Sequence, residues 1–176
     1  MKQKVVFMMS GSIACFKACE VISMLNKKGL DVQCAISEST PHFIGRSTLE
    51  GLSGNPVLDN EYESGRNMDH IHLMHQSDLI VLCPATAKTI NQMAHGVGGL
   101  LSTLFLAHDF QRPFLVYPAM NTAMYQHPTT QACMEKLKSM GLQIRPTGTG
   151  DLACGEEGYG RLLEPRQIFE EILEQL

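Results

Sequence analysis

Apolar and polar positions along this chain follow blocks that fit short strands alternating with amphipathic helices. Five apolar runs have the length and continuity of buried parallel strands. These runs are Lys4–Met9, Asp31–Ile36, Leu79–Cys83, Phe114–Tyr117 and Leu142–Arg145. The stretches between them predict helices over Ile13–Lys28, from a polar turn at 37–41 to about Leu52, from the 84–89 segment to about Ala94, and over Leu100–Ala107, Thr129–Met140 and Arg166–Leu176.

Strands that alternate with helices at this spacing predict one parallel sheet with helices on both faces. We therefore expect an α/β fold, a single three-layer Rossmann-like (flavodoxin-like) domain with a parallel sheet over residues 1–176. Two segments lack a clear period. Residues 51–67 are polar and predict a surface connection, and the glycine-rich stretch Thr147–Gly160 predicts a mobile loop of the lid type.

Composition narrows the class of protein. The chain has 176 residues, of which 44% are hydrophobic and 18% charged, as is ordinary for a globular domain. No apolar run reaches the roughly 20 residues of a membrane helix, and the first residues show no signal-peptide pattern. We expect a cytoplasmic protein. A net charge of −4 without a basic stripe argues against nucleic acid as a partner.

The six cysteines form no C-x-x-C pair, so neither a disulfide framework nor a zinc ribbon is expected. Cys15, Cys19, Cys34 and Cys83 lie in apolar surroundings and are interpreted as small core residues. Cys154 lies instead in the glycine-rich segment. Exposure there favours a reactive thiol, with an incidental loop cysteine as the alternative.

Ligands of open α/β sheets bind at the carboxyl ends of the strands, and three strand ends here carry suitable groups. The turn Gly11-Ser12-Ile13 opens a helix, where backbone N–H groups suit a phosphate. It matches neither G-x-G-x-x-G nor a P-loop. Ser37 and Ser39 add hydroxyl groups after the second strand, and Pro84–Thr89 offers small residues that let a flat ligand approach. Ordinary turns and helix caps remain the alternatives.

Asn121 follows the fourth strand, which we expect to end at Pro118 because proline cannot extend the hydrogen-bond ladder. One interpretation is that Asn121 caps a new helix. The other is that its amide orients a ligand in an apolar pocket between Met120 and Met124. The two roles are compatible, since a helix N-terminus is well placed to meet an anion.

The histidines at 70, 72 and 75 raise the question of a metal site. No carboxylate or cysteine falls at a supporting spacing, so we expect no metal. A single catalytic or ligand-orienting histidine is the better interpretation. Surface exposure suits His72 and His75 more than His70.

Taken in chain order, these motifs are specific. They are Gly-Ser-Ile-Ala at 11–14, His-Ile-x-Leu at 70–73, Pro-Ala-Thr-Ala-x-Thr at 84–89, Pro-Ala-Met-Asn-x-x-Met-Tyr at 118–125 and Leu-Ala-Cys-Gly-x-x-Gly-x-Gly-Arg at 152–161. With them the chain resembles the homo-oligomeric flavin-containing cysteine decarboxylases over nearly its whole length.

The resemblance implies FMN at the strand ends and assembly as a homotrimer or homododecamer. It implies catalytic roles for His70 as the base, for Asn121 as the holder of the substrate carboxylate, and for Cys154 as the proton donor of a reductive step. The positions that match cofactor contacts of the family are Gly11, Ser12, Ile13, Ser37, Ser39, Thr86, Ala87, Lys88, Thr89, Ser102, Ala119 and Met120.

The implied activity is FMN-dependent decarboxylation of 4′-phosphopantothenoylcysteine, a small-molecule substrate, to 4′-phosphopantetheine and CO2 in coenzyme A biosynthesis. The Leu-Ala-Cys-Gly segment and Ser53–Val57 favour that branch of the family. The alternatives are a peptidyl-cysteine (lantibiotic-type) oxidative decarboxylase and a non-catalytic flavin-binding regulatory subunit. The chain departs from the family pattern at Lys88, usually Asn, and at Gly98-Gly99, usually Asp-Asn.

Overall fold

Five parallel strands form the sheet that the apolar runs predict. The computed structural model describes residues 2–60, 69–151 and 157–176, and only the backbone of Asp69, His70, Asp151 and Glu157. The strands are β1 Lys4–Met9, β2 Asp31–Ile36, β3 Leu79–Ala85, β4 Phe114–Pro118 and β5 Gln143–Ile144, arranged in the order β2-β1-β3-β4-β5. This order is that of a doubly wound sheet, whose ligand site lies where the strand order reverses, next to β1 and β3.

Helices connect the strands, and a short antiparallel ribbon follows the sheet. The helices are α1 Cys15–Lys27, α2 Arg46–Ser53, α3 Asp69–His75, α4 Ala87–His95, α5 Leu100–Leu106, α6 Thr122–Gln126, α7 Pro128–Ser139 and α8 Pro165–Leu173, with a 3-10 turn at Thr40–His42. The ribbon pairs β6 Gly148–Asp151 with β7 Glu157–Arg161. Within the described residues, no helix has the length and apolar character needed to cross a membrane.

Side chains of β1 alternate between two cores. Val5, Phe7 and Met9 of β1 pack with α1 and α8 on one face of the sheet. Val6 and Met8 pack with α4, α5 and α7 on the other face. All five side chains are fully buried, as expected of a parallel strand covered on both sides. The predicted three-layer α/β fold is confirmed.

Three local predictions need correction, and one helix was missed. The helical segment predicted up to Leu52 is divided into the 3-10 turn and α2, and α3 was not predicted at all, because its seven residues show too little periodicity. Strand β3 continues past Cys83 to Ala85, since the Pro84 carbonyl finds a partner in Ser10. The prediction that Thr147–Gly160 is a loop throughout is wrong, because the two ends of this stretch form β6 and β7.

Candidate active site

The turns after β1 and β2 touch each other at the carboxyl edge of the sheet. The Gly11 N–H donates to Ser37 Oγ at 3.1 Å. A Cβ atom at Gly11 would lie 2.5 Å from Ser39 Oγ and 2.6 Å from the Ser39 carbonyl oxygen. Only glycine fits there, so the structure brings Gly11, Ser37 and Ser39 together as predicted.

A chain of hydroxyl groups orients this corner of the site. Thr40 Oγ1 is buried and donates to the Met9 carbonyl at 2.9 Å, so it must accept from Ser37 Oγ, which is 2.9 Å away. Ser37 has then used its single proton, and its 3.1 Å contact with Ser39 Oγ requires Ser39 to donate. The lone pairs of Ser39 therefore stay available to a ligand that brings its own hydroxyl protons.

Ser10 joins β1 to β3 and was not singled out from the sequence. It is 1% exposed. Its hydroxyl donates to the Pro84 carbonyl at 2.7 Å and accepts from the Thr86 N–H at 2.8 Å. A buried serine directly after an apolar strand, before a glycine turn, is the sequence signal that could have found it. The bond holds the first turn of α4 beside the β1 turn.

The first turn of α4 carries four predicted cofactor positions. Thr86 caps the helix, with its Oγ1 accepting from the Thr89 N–H at 3.4 Å. Ala87 and Thr89 are buried at 4% exposure, whereas Lys88 is exposed. Lys88 is therefore free to turn toward a ligand or toward solvent.

Two further predicted positions differ in their surroundings. Ser102 on α5 is 2% exposed, and its hydroxyl has no hydrogen-bond partner among the described residues. A buried hydroxyl without a partner is costly, which suits a position that meets a bound group. Ile13 is 59% exposed beside Ser12, whose Oγ accepts from the Ala14 N–H at 3.2 Å.

Asn121 is a helix cap, and the cap leaves half of its amide available. Its Oδ1 accepts from the Met124 N–H at 2.9 Å, as an N-cap oxygen does. No described residue accepts a hydrogen bond from its Nδ2. Just before it, the Ala119 N–H donates to the Ala85 carbonyl at 2.9 Å, which ties the ends of β4 and β3 together. The cap therefore fixes the Asn121 amide through its oxygen and leaves both N–H groups of Nδ2 without a partner among the described residues.

Strand β7 lies against the Asn121 turn. The Met120 N–H donates to the Gly160 carbonyl at 2.9 Å, and Thr122 Oγ1 donates to the Tyr159 carbonyl at 2.9 Å. Thr147 directly precedes β6, and its Oγ1 accepts from the Gly160 N–H at 3.2 Å. Thr122 and Thr147 were missed from the sequence, because nothing local to either threonine marks a partner far along the chain.

The side chains of two predicted catalytic residues, His70 and Cys154, are not described by the structure. His70 lies in α3, where the backbone alone is described, and Cys154 lies in 152–156, outside the described residues. His72 and His75 are exposed, as expected. The described part of the chain holds no group of three or more His, Cys, Asp or Glu residues that could bind a metal ion.

The four cysteines predicted to be core residues have thiols that resist ionisation. Burial raises the pKa of Cys19 to about 11 and that of Cys34 to about 12. Burial likewise raises the pKa of Cys15 and of Cys83. Cys15, Cys34 and Cys83 are buried and Cys19 is half-buried, and all four are free thiols. The core assignment is confirmed for the three buried residues.

The fold and this edge define an α/β protein with a candidate ligand site at the carboxyl ends of β1 to β4. The chain belongs to the Flavoprotein family, whose sequence model matches residues 1–176. The family resemblance seen in the sequence is thereby confirmed.

Two relatives illustrate the match in sequence. The coenzyme A biosynthesis bifunctional protein CoaBC of Vibrio vulnificus (strain YJ016) is 39% identical over 169 residues, which cover 94% of this chain and 42% of that protein. The chain therefore spans less than half the length of this bifunctional relative. A probable phosphopantothenoylcysteine decarboxylase of Streptococcus mutans serotype c is 36% identical over 179 residues, covering 100% of both chains.

Two solved structures illustrate the match in fold. A mutant PPC decarboxylase complexed with pantothenoylaminoethenethiol superposes with a TM-score of 0.88 at 28% identity, over 99% of this chain and 98% of that one. The FMN binding protein AtHal3 superposes with a TM-score of 0.83 at 28% identity, over 99% and 96% of the two chains.

Proposed function

We propose that this protein catalyses the FMN-dependent decarboxylation of 4′-phosphopantothenoylcysteine to 4′-phosphopantetheine and CO2, a step of coenzyme A biosynthesis. The observation that carries the proposal is the Asn121 turn. It presents an amide whose oxygen is committed to the helix and whose Nδ2 has no described partner, at the carboxyl end of β4. A carboxylate is the natural acceptor for those donors.

The relatives support the same activity. The S. mutans relative aligns along both full lengths under the name of this decarboxylase, and CoaBC belongs to coenzyme A biosynthesis by name. The PPC decarboxylase complex shares the fold over 99% of this chain. We propose that residues 1–176 form one flavoprotein decarboxylase domain, located in the cytoplasm and assembled as a homotrimer or homododecamer.

FMN fits the described edge of the sheet. The lone pairs that Ser39 keeps available suit the hydroxyl groups of the ribityl chain, and the backbone N–H groups of the turn that opens α1 suit the phosphate. The partnerless hydroxyl of Ser102 suits a polar atom of the flavin. We assign the FMN contacts to the predicted set, which is Gly11, Ser12, Ile13, Ser37, Ser39, Thr86, Ala87, Lys88, Thr89, Ser102, Ala119 and Met120.

The chemistry explains why such a site is needed. Loss of CO2 from an unactivated cysteine carboxylate would leave a carbanion that nothing stabilises. FMN, when bound, supplies an acceptor for two electrons from the thiol-bearing carbon and can return them later. The chain's own residues bind and orient the substrate and move its protons.

Asn121 suits the carboxylate for an energetic reason. A neutral amide holds the carboxylate by hydrogen bonds but does not neutralise it with a full positive charge. Relative to the transition state, in which the charge is dispersed into departing CO2, the amide therefore stabilises the bound carboxylate less than a cationic side chain would. We assign His70 to the removal of a substrate proton and Cys154 to the return of a proton in the reductive step.

The purified flavin-bound protein tests the proposal directly. It is incubated with 4′-phosphopantothenoylcysteine and, separately, with a peptide that ends in cysteine, and the products are identified by mass spectrometry. We expect 4′-phosphopantetheine from the first substrate and no turnover of the second. An oxidised enethiol product from the peptide would instead identify a peptidyl-cysteine decarboxylase, and a yellow protein that turns over neither substrate would identify a regulatory subunit.

The Cys154→Ser variant separates the role of Cys154 from the rest of the reaction. We expect it to bind flavin and release CO2 but to stop before the reduced product. Normal formation of 4′-phosphopantetheine by Cys154→Ser would contradict the assignment of Cys154 as the proton donor while leaving the decarboxylation in place.

The cofactor assignment has its own test in Gly11→Ala. The added methyl group would collide with Ser39, so the flavin content after purification and the affinity for added FMN should both fall. We expect the affinity to fall by about tenfold or more, the effect of one misplaced hydrogen bond to a charged group. Gly51→Ala is the matched control, because a Cβ atom at Gly51 meets nothing within 4 Å. If both variants bind FMN like the wild type, the phosphate does not sit at the Gly11 turn.

A further inference from the structure

A thiol and an imidazole meet at the seam between α4 and α7, away from the predicted flavin contacts. The Sγ of Cys133 on α7 lies 3.8 Å from the Nδ1 of His95, the last residue of α4. Cys133 is 3% exposed, whereas His95 is exposed. The imidazole therefore contacts both the thiol and the solvent.

The main chain determines which tautomer His95 adopts. Its Nδ1 lies 2.9 Å from the carbonyl oxygen of Asn91. A carbonyl only accepts hydrogen bonds, so Nδ1 carries the proton. That N–H points at the Asn91 carbonyl, and the sulfur of Cys133, 3.8 Å from the same nitrogen, lies where it can share the proton as a second, weaker acceptor. This arrangement does not suit a metal ion, which would need a free lone pair on that nitrogen.

An open cleft gives access to the pair from solvent. It has a volume of about 280 Å³ and is lined by His95, Thr129, Ala132, Cys133 and Lys136. Lys136 follows Cys133 by three residues on α7, so both lie on the same face of the helix. Its ammonium group brings a positive charge to the cleft that contains the sulfur.

The other described thiols lack this combination. Cys34 and Cys83 are buried and burial raises the pKa of each. Cys19 is reachable as a half-buried residue, but burial raises its pKa to about 11 as well. Cys133 alone among the cysteines in the described ranges combines a cleft, a neighbouring imidazole N–H and a nearby ammonium group.

We propose that Cys133 is a nucleophilic thiol that undergoes exchange with small anionic disulfides in the cleft between α4 and α7. The Cys133 thiolate attacks one sulfur of the disulfide, a new S–S bond forms to Cys133, and the other half leaves as a thiolate that takes up a proton. The N–H of His95 stabilises the attacking sulfur, and Lys136 attracts the anionic reagent.

This inference does not depend on the proposed decarboxylase activity. Helix α4 has nine residues and so spans about 13 Å, with Thr86 of the predicted flavin site at its start and His95 at its end. An occupant of the cleft is therefore separated from the flavin contacts by the length of the helix.

The experiment follows each cysteine separately. The purified flavin-bound protein is treated with the anionic disulfide 5,5′-dithiobis(2-nitrobenzoate), quenched at intervals, and mapped by mass spectrometry. We expect Cys133 to react about tenfold faster than Cys19, or more, the effect of one hydrogen bond to a charged group. A rate for Cys133 equal to or below that of Cys19 would overturn the proposal.

Two variants with matched controls test the assigned roles. His95→Phe should slow the reaction of Cys133 by about tenfold, while His75→Phe, at another exposed histidine, should not. Lys136→Gln should reduce the preference for this anionic disulfide over cationic cystamine, while Lys138→Gln should leave the preference unchanged. Equal rates in His95→Phe and His75→Phe would exclude His95 as the donor, and the wild-type comparison with Cys19 stands even if a variant does not fold.

Discussion

The backbone N–H of Met120 donates a hydrogen bond to the carbonyl of Gly160 at 2.9 Å, and this bond joins the ribbon strand β7 to the turn that carries Asn121. Gly160 has a φ angle of +104°, and a Cβ atom there would overlap the Met120 carbonyl oxygen. At Gly158, a Cβ atom would overlap Thr122 Oγ1. Both positions must therefore be glycine for β7 to support the Asn121 turn.

Gly160→Ala should destabilise the protein more than a glycine substitution that suffers backbone strain alone. Gly141 is the matched control, since its φ is +101° and a Cβ atom there meets nothing within 4 Å. Each variant should lose about 1–2 kcal/mol for placing alanine in the left-handed region. Gly160→Ala should lose more, because the Met120 turn has to move, and its affinity for substrate should fall as well. Urea denaturation and KM measure the two effects, and equal losses in both variants would mean that β7 does not support the site.

Substitutions at Asn121 should separate its two roles. Asn121→Asp keeps an oxygen for the Met124 N–H and should leave the free energy of unfolding nearly unchanged. It replaces the two Nδ2 donors by a negative charge that repels a carboxylate, so kcat/KM should fall at least about 100-fold, the loss of a charged hydrogen bond with added repulsion.

Asn121→Ala provides the comparison for the cap. It should cost about 1 kcal/mol of stability in addition to the loss of activity, because the Met124 N–H then has no side-chain acceptor. Denaturation and steady-state kinetics on the same preparations give both numbers. An Asn121→Asp variant with normal kcat/KM would show that Asn121 acts only as a helix cap.

Ser102→Ala should change stability and flavin affinity in opposite directions. Without flavin the buried hydroxyl of Ser102 has no described partner, so its removal should stabilise the flavin-free protein by about 1 kcal/mol. If FMN supplies the missing partner, its affinity should fall about three- to tenfold for one lost hydrogen bond.

Ser53→Ala is the control for Ser102→Ala, since Ser53 is equally buried but donates to the Leu49 carbonyl at 2.8 Å. It should not stabilise the protein and should not affect FMN binding. Thermal denaturation without flavin and a fluorescence titration with FMN measure the two properties. Unchanged FMN affinity in Ser102→Ala would remove Ser102 from the cofactor site.

His108 should make the protein less stable in mild acid. The His108 side chain is 6% exposed and packs among aromatic rings. Burial is the largest influence on its pKa and lowers it. The charge of Asp109 raises the pKa, and the charge of Arg112 lowers it by a smaller amount. The unfolded chain therefore binds this proton more tightly than the folded protein. Stability from the neutral ring is present above the ordinary pKa of 6.5 and is lost as the pH falls below it.

The measurement for His108 compares urea denaturation at pH 5.5 and pH 7.5 in wild type and His108→Phe, both within the range where histidine titrates. The loss of stability between the two pH values should be smaller in His108→Phe. The same loss in His75→Phe as in wild type would show that an exposed histidine does not contribute. An undiminished loss in His108→Phe would assign the acid sensitivity to other groups.

The strand ends could be predicted from the sequence because each depends on a local pattern. Gly11, Ser37 and Ser39 were expected at one edge, since adjacent parallel strands bring their carboxyl ends together, and the Gly11 bond to Ser37 bears this out. Asn121 was recognised in the same way, as a capping residue behind a proline-terminated strand.

The ribbon could not be predicted because its cause lies elsewhere in the chain. Glycines at 158 and 160 suggested a mobile loop, whereas the structure needs them for close contact with Thr122 and Met120. Ser10 likewise gains its importance from Pro84 and Thr86, which follow more than 70 residues later. A contact between distant segments leaves no period in either of them.

Hydrophobic periodicity and turn residues thus determine the α/β fold, the edge of the sheet that carries the candidate site and the residue types gathered there. They do so because burial and capping act over a few residues. Only the tertiary structure decides which of those groups keep a free donor or acceptor. Asn121 shows the difference. The helix cap by Asn121 could be predicted from the sequence. Whether its Nδ2 stays available depends on the packing of β7 and of β3 around the turn.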